Sequence, residues 1–111
     1  MDLSEITFSI IIPSYNYAHY LSRAISSIHQ QADSDYEILV VDDGSADNTR
    51  HIAQQLASQH PNIRYYYQNN QGPAAARNLG ITKSAGQYII FLDADDELLP
   101  GALREYKKMI T

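Results

Sequence analysis

The sequence predicts an α/β domain, a mostly parallel sheet with helices on both faces, and three observations carry the prediction. Short apolar runs alternate with stretches of ten to fifteen residues that have helical periodicity. The first run, 6–13, has no charge on either face, as a strand buried between two helical layers requires. Acidic or proline-containing turns follow the runs, and in open α/β sheets the turns at the carboxyl ends of the strands are where ligands sit.

The 6–13 run is β-branched and closed by Pro13, and Asn16 can cap the helix after it. That helix is expected over 17–31, because Leu21, Ala24, Ile25 and Ile28 fall at i, i+3, i+4 and i+7. A second strand over 37–41 ends in Asp42 and Asp43. Asp47 or Ser45 then opens a helix with the stripe Ile52, Ala53 and Leu56. A third strand over 62–67 precedes the loop Asn69-Asn70-Gln71-Gly72-Pro73, with proline suited to a first helical turn. The helix over 74–83 carries Ala75, Ala76 and Gly80, small enough for close packing on a sheet, and Gly86 is placed to stop it. A fourth strand over 87–92 runs into an acidic cluster. A helix over 98–110 can bring Leu99, Leu103, Tyr106 and Ile110 to one face. Strand and helix in alternation imply right-handed crossovers and a Rossmann-like architecture.

Length and composition narrow the function. At 111 residues the chain is expected to be a single domain, 1–111, able to bury a core. A net charge of -5, from 8 basic and 13 acidic residues, supplies no basic stripe, so nucleic acid is not an expected partner. With no cysteine, disulfides and thiolate metal sites are excluded, and the cytoplasm is the expected location. No apolar run is long enough to cross a bilayer and the first five residues lack a basic start, so membrane association would come through a parent protein.

The chemistry concentrates in Phe91-Leu92-Asp93-Ala94-Asp95-Asp96-Glu97, where an apolar run ends in a cluster of carboxylates. Like charges this close repel unless a cation or hydrogen-bond donors compensate them, and oxygen ligands beside a diphosphate suit Mg²⁺ or Mn²⁺. Alternate spacing at the end of a strand would point Asp93 and Asp95 the same way, with Asp95 on the metal and Asp93 on a ribose hydroxyl. Asp96 or Glu97 can simply cap the next helix. Asp43 can accept a base N–H, as uracil or thymine would offer, while Asp42 fixes its turn and Gly44 supplies a backbone conformation that side chains resist. Tyr15 can stack on a base. Arg77 either orders the acidic cluster or reaches a phosphate, or else forms a structural ion pair. His19, His29, His51 and His60 have no ligand spacing, which argues against zinc.

Four ordered motifs closely resemble family 2 glycosyltransferases: Phe8-Ser9-Ile10-Ile11-Ile12-Pro13-Ser14-Tyr15-Asn16, Val41-Asp42-Asp43-Gly44-Ser45, Gly72-Pro73-Ala74-Ala75-Ala76-Arg77-Asn78 and Phe91-Leu92-Asp93-Ala94-Asp95-Asp96. The resemblance covers nearly the whole chain. It implies a GT-A fold and an inverting transfer from a nucleotide-sugar, UDP-linked by family expectation although dTDP would satisfy the same Asp43 contact. It also implies a divalent metal on the Asp-x-Asp motif. Tyr15 and Asp43 would lie at the base, Asp93 at the ribose and Asp95 at the metal, with Pro13, Arg77 and Ala94 completing the donor site. Enzymes of this kind are about twice this length, and their second half holds the acceptor pocket and the general base. The expectation is therefore a donor-binding part of a larger enzyme, ending after the Asp-x-Asp strand and the following helix, with its catalytic base elsewhere and its acceptor unknown. An unfinished sheet edge could pair chains into a homo-oligomer. The rivals are a non-catalytic nucleotide-sugar-binding module and, fitting less well, a phosphoryl-transfer domain, since the first strand ends in Pro13-Ser14-Tyr15 without a carboxylate.

Overall fold

In the computed structural model the chain runs β1 (Phe8–Ser14), α1 (Ala18–His29), β2 (Tyr36–Asp43), α2 (Thr49–Gln59), β3 (Ile63–Gln68), α3 (Pro73–Lys83), β4 (Tyr88–Phe91) and α4 (Ala102–Ile110). The structure describes residues 6–32 and 35–110; the first five residues, which lack the basic start of a signal peptide, lie outside them. Four strands form one parallel sheet in the order β3-β2-β1-β4. Every strand and helix expected from the sequence is present, each within four residues of its expected bounds.

Alternation along the strands divides the core into two layers. Ile10, Ile12, Ile38 and Val40 face Leu21, Ala24, Ile25 and Ile28 of α1, Ala53 of α2 and Leu103 of α4. Ile11, Leu39 and Val41 face Ala76 and Leu79 of α3 on the other side. All eight residues of β2 are buried, whereas β4 is an edge strand on which Tyr88, Ile89 and Phe91 are exposed. Among the described residues no helix is long and apolar enough to cross a membrane.

Several local expectations are corrected by the geometry. Asn16 does not cap α1; it takes φ 59°, and the α1 N-terminus is satisfied by Asp47, which accepts from the Ala18 N–H at 3.1 Å. Gly86 does not end α3, which closes at Ser84. It lies so close to β1 that a Cβ would sit 2.6 Å from Ser9 Oγ, and its N–H donates to that oxygen. The last helix starts at Ala102, after Gly101 at φ 80°, so Leu99 stays exposed and does not join Leu103 on a helical face.

Glu37 is buried at the amino-terminal half of the sheet. Its carboxylate accepts from Ser9 Oγ and the Ala85 N–H, each at 2.6 Å, and pairs with Arg64. This fastens the α3–β4 connection under β1, β2 and β3. Burial works to raise the Glu37 pKa, but these donors together outweigh it and hold the group below its ordinary value. The histidines, dispersed in sequence, are partly gathered in space: the His29 and His60 rings lie with centroids 4.2 Å apart, tilted by 41°.

Two consequences can be measured. A Cβ on Gly80 would meet Ile11 Cγ2 at 2.5 Å, so Gly80→Val, which gains little helix propensity, should destabilise the chain by about 2 kcal/mol in denaturant unfolding. The His29 pKa is lowered, first by burial and then by His60, against a hydrogen bond with Asn62 that raises it. The unfolded chain therefore binds that proton more readily than the fold does. Above about pH 6.5 His29 costs nothing, and stability falls as the pH drops below that value. Thermal melts should show a declining midpoint there, and His29→Gln should flatten the decline.

Candidate nucleotide-sugar site

At the carboxyl ends of β1, β2 and β4 lies a cleft of about 320 Å³. Pro13, Ser14, Tyr15 and Tyr17 come from the β1–α1 turn, and Asp43 from the end of β2. Pro73, Ala76 and Arg77 come from the first turns of α3, and Asp93, Ala94 and Asp95 from the segment after β4. The positions singled out in the sequence, Pro13, Tyr15, Asp43, Arg77, Asp93, Ala94 and Asp95, thus share one cavity. Ser14, Tyr17, Pro73 and Ala76 line it too. Tyr17 stood in the sequence only as a helix start and Pro73 as a helix start and motif member; the signal that could have found them is that Tyr17 lies two residues after Tyr15 and Pro73 one helical turn before Arg77.

The β1–α1 and β2–α2 turns are latched together. The Asn16 N–H donates to Ser45 Oγ at 2.9 Å, and Asn16 Oδ1 accepts from the Ala46 N–H at 2.8 Å. Asp47 accepts from the Ala18 N–H at the start of α1 and from the Thr49 N–H at the start of α2, so one carboxylate serves both helices. Ser45 is therefore a partner of Asn16 and not a helix cap. Asp42 fixes its own turn, accepting from the Ser45 N–H at 2.9 Å and from the Tyr65 hydroxyl at 2.6 Å. Burial and the Asp42 carboxylate push the Tyr65 pKa up to about 12, so this hydroxyl stays a donor. Within this frame Tyr15 is 46% exposed.

Asp43 is buried and holds the loop ahead of α3. One carboxylate oxygen accepts from Gln68 Nε2 at 2.8 Å and the Gln71 N–H at 2.7 Å, and the other from the Gly72 N–H at 3.0 Å. Burial tends to raise its pKa, but the three donors prevail and keep it lowered, so the group is an anion. Three of roughly four acceptor positions are in use, leaving one on the oxygen that faces Gly72. Gly44, at φ 77°, lets this loop close, since a Cβ there would meet the Asn70 backbone nitrogen at 2.8 Å.

The acidic cluster corrects one expectation. Asp93 and Asp95 are not aligned by strand alternation, because β4 ends at Phe91 and Asp93–Asp96 form a turn closed by the Asp96 N–H on the Asp93 carbonyl at 2.9 Å. The turn brings in a third carboxylate: ligand oxygens of Asp93, Asp95 and Asp96 lie within 4.8 Å of one another, all exposed. Asp96 and Glu97 cannot cap α4, which begins five residues beyond Glu97. Behind the cluster, buried Gln31 donates to the Leu99 carbonyl and accepts from the Leu103 N–H, while Ser27 Oγ accepts from the Leu98 N–H. Oxygen-only donors at this spacing fit a hard divalent cation. Arg77, half-buried across the cleft, has no ion pair among the described residues.

The profile of glycosyl transferase family 2 matches residues 9–110. An uncharacterised glycosyltransferase of Nostoc is 50% identical over 97 residues, 86% of this chain and 30% of that protein. The Campylobacter jejuni GalNAc(5)-diNAcBac-PP-undecaprenol β-1,3-glucosyltransferase is 42% identical over 86% of this chain and 31% of its own length. The chain thus spans about a third of these relatives. Staphylococcus aureus TarS, in complex with UDP-GlcNAc, superposes with a TM-score of 0.87 at 28% identity, covering 95% of this chain and 31% of that one. Mycobacterium tuberculosis glucosyl-3-phosphoglycerate synthase, with Mn²⁺ and UDP, does so with 0.62 at 25% identity, covering 83% and 36%. With an architecture of the GT-A type and a match over nearly its full length, the chain belongs to glycosyl transferase family 2.

Proposed function

We propose that residues 1–111 form the nucleotide-sugar-binding domain of an inverting, metal-dependent glycosyltransferase that uses a UDP-sugar. The observation that carries the reading is the opposition, across one cleft, of an anchored carboxylate at Asp43 and an exposed carboxylate turn at Asp93, Asp95 and Asp96. The remaining acceptor position of Asp43 suits the N3–H of uracil, with the exposed Tyr15 ring beside it for stacking. Asp93 takes a ribose hydroxyl, Pro13 and Ala94 form walls, and Asp95 with Asp93 holds Mg²⁺ or Mn²⁺. The two structures with UDP-GlcNAc and with UDP and Mn²⁺ support this choice of ligand and cation. The cation supplies charge compensation for the diphosphate as it leaves. Arg77, a cation without an ion-pair partner among the described residues, is placed to stabilise the same developing charge.

Both carboxylate groups thus have work on the donor. Activation of the acceptor hydroxyl then falls to a base in the portion of such an enzyme that this chain does not match, and its absence would cost roughly two to four orders of magnitude in rate. Donor binding does not depend on that base.

Calorimetric titration with UDP, with and without Mn²⁺, tests the proposal. Wild-type chain should bind in a Mn²⁺-dependent manner, and Asp95→Ala should weaken the Mn²⁺-supported affinity at least about tenfold. Indifference to Mn²⁺, or no binding by folded protein, would sink it. Asp43→Ala should separate that residue's two duties. Without any ligand, amide exchange at Gln71 and Gly72 should accelerate as the loop loses its anchor, and UDP affinity should fall with it.

A further inference from the structure

We infer that Gln31 is a positioning residue for the carboxylate turn: together with Ser27 it fastens the chain beyond Asp96 to the end of α1, so that Asp93, Asp95 and Asp96 are held together before a divalent cation arrives. The inference rests on the metal reading above and adds to it a residue that does not line the cleft. Carboxylate oxygens within 4.8 Å of one another repel, so the backbone on either side has to keep the turn closed. On the entry side the Leu92 N–H donates to the Ile11 carbonyl at 3.0 Å, and Leu92 and Ala94 are buried. On the exit side β4 has already ended and α4 begins only at Ala102, so neither a ladder nor a helix holds the segment between.

Two buried side chains of α1 and its end supply the hold. Ser27 Oγ accepts from the Leu98 N–H at 2.9 Å. Gln31 Nε2 donates to the Leu99 carbonyl at 3.0 Å, and its Oε1 accepts from the Leu103 N–H at 3.2 Å. The same Nε2 donates to the Ser27 carbonyl at 3.1 Å, which engages both ends of the amide and fixes its orientation. Arg23 and Glu97 span the same two segments at 3.6 Å, but both side chains are more than half exposed, and such pairs contribute little. Gln31 is only 8% exposed, and a methionine would fill its space with no amide to satisfy. What the amide adds is a fixed position for the main chain that leaves the turn. Repulsion among the three carboxylates is then met in folding and not on binding, and order established before a ligand arrives appears as affinity.

Mn²⁺ titration in the presence of UDP, followed through the electron paramagnetic resonance of the free ion, tests this on folded protein. Gln31→Met keeps the volume and removes the amide. At a temperature where melts show both proteins folded, it should bind Mn²⁺ about three- to tenfold more weakly than wild type. A merely structural glutamine would lower the melting temperature and leave the Mn²⁺ affinity of the folded protein unchanged, and that result would overturn the inference. Should Gln31→Met not fold, Ser27→Ala, which removes the acceptor for the Leu98 N–H, carries the same expectation and the same refutation. If wild type takes up no Mn²⁺, the metal reading itself has failed and the inference falls with it; if wild type and variant bind alike, the inference alone fails.

Discussion

The double pairing of β1 is the constraint on which the rest depends. A parallel strand cannot be reached by a tight turn, so each neighbour of β1 arrives by a helical crossover of fixed hand. The chain moves outward through β2 and β3 with α1 and α2 on one face, then returns across the sheet with α3 on the other to place β4 on the opposite side of β1. At that switch the helices diverge, and the carboxyl ends of β1 and β4 are left uncovered. The cleft is a product of topology before any of its side chains is chosen.

The chemistry follows from how the carboxylates are treated. Those at Glu37, Asp42, Asp43 and Asp47 accept from N–H, O–H or guanidinium donors and serve as fasteners between segments far apart in sequence. Those at Asp93, Asp95 and Asp96 are gathered by one turn and left exposed. The same residue type is thus used at one strand end to fix the backbone and at the other to concentrate negative charge.

Much of this is legible in the sequence, and for identifiable reasons. Strand and helix placement follows from periods of two and 3.6, and the carboxyl-end rule brings Tyr15, Asp43 and Asp93 to one edge without any coordinates. The features that stay hidden depend on long-range pairing. Asn16 has the chemistry of a cap, yet Asp47, thirty-one residues after it, satisfies α1 because the two turns are neighbours only in the folded sheet. Gly86 has the spacing of a helix stop, but its lack of a side chain answers to β1. Asp96 reads as a cap because a turn and a continuing helix start share the same residue preferences. His29 and His60 meet because α1 and the α2–β3 connection end at the same edge of the sheet, a proximity no spacing rule contains.

The shared use of Asp47 carries a mechanical consequence. Because one carboxylate ties the starts of α1 and α2, and Asn16 ties the turns before them, these segments have few independent motions left. The exposed Tyr15 and the carboxylate of Asp43 are then carried by one semi-rigid unit. A ligand entering between them meets a shape already formed and forfeits little conformational entropy from the protein in binding. The acidic turn is held from the other side, through the pairing of β4 with β1 and through Ser27 of α1.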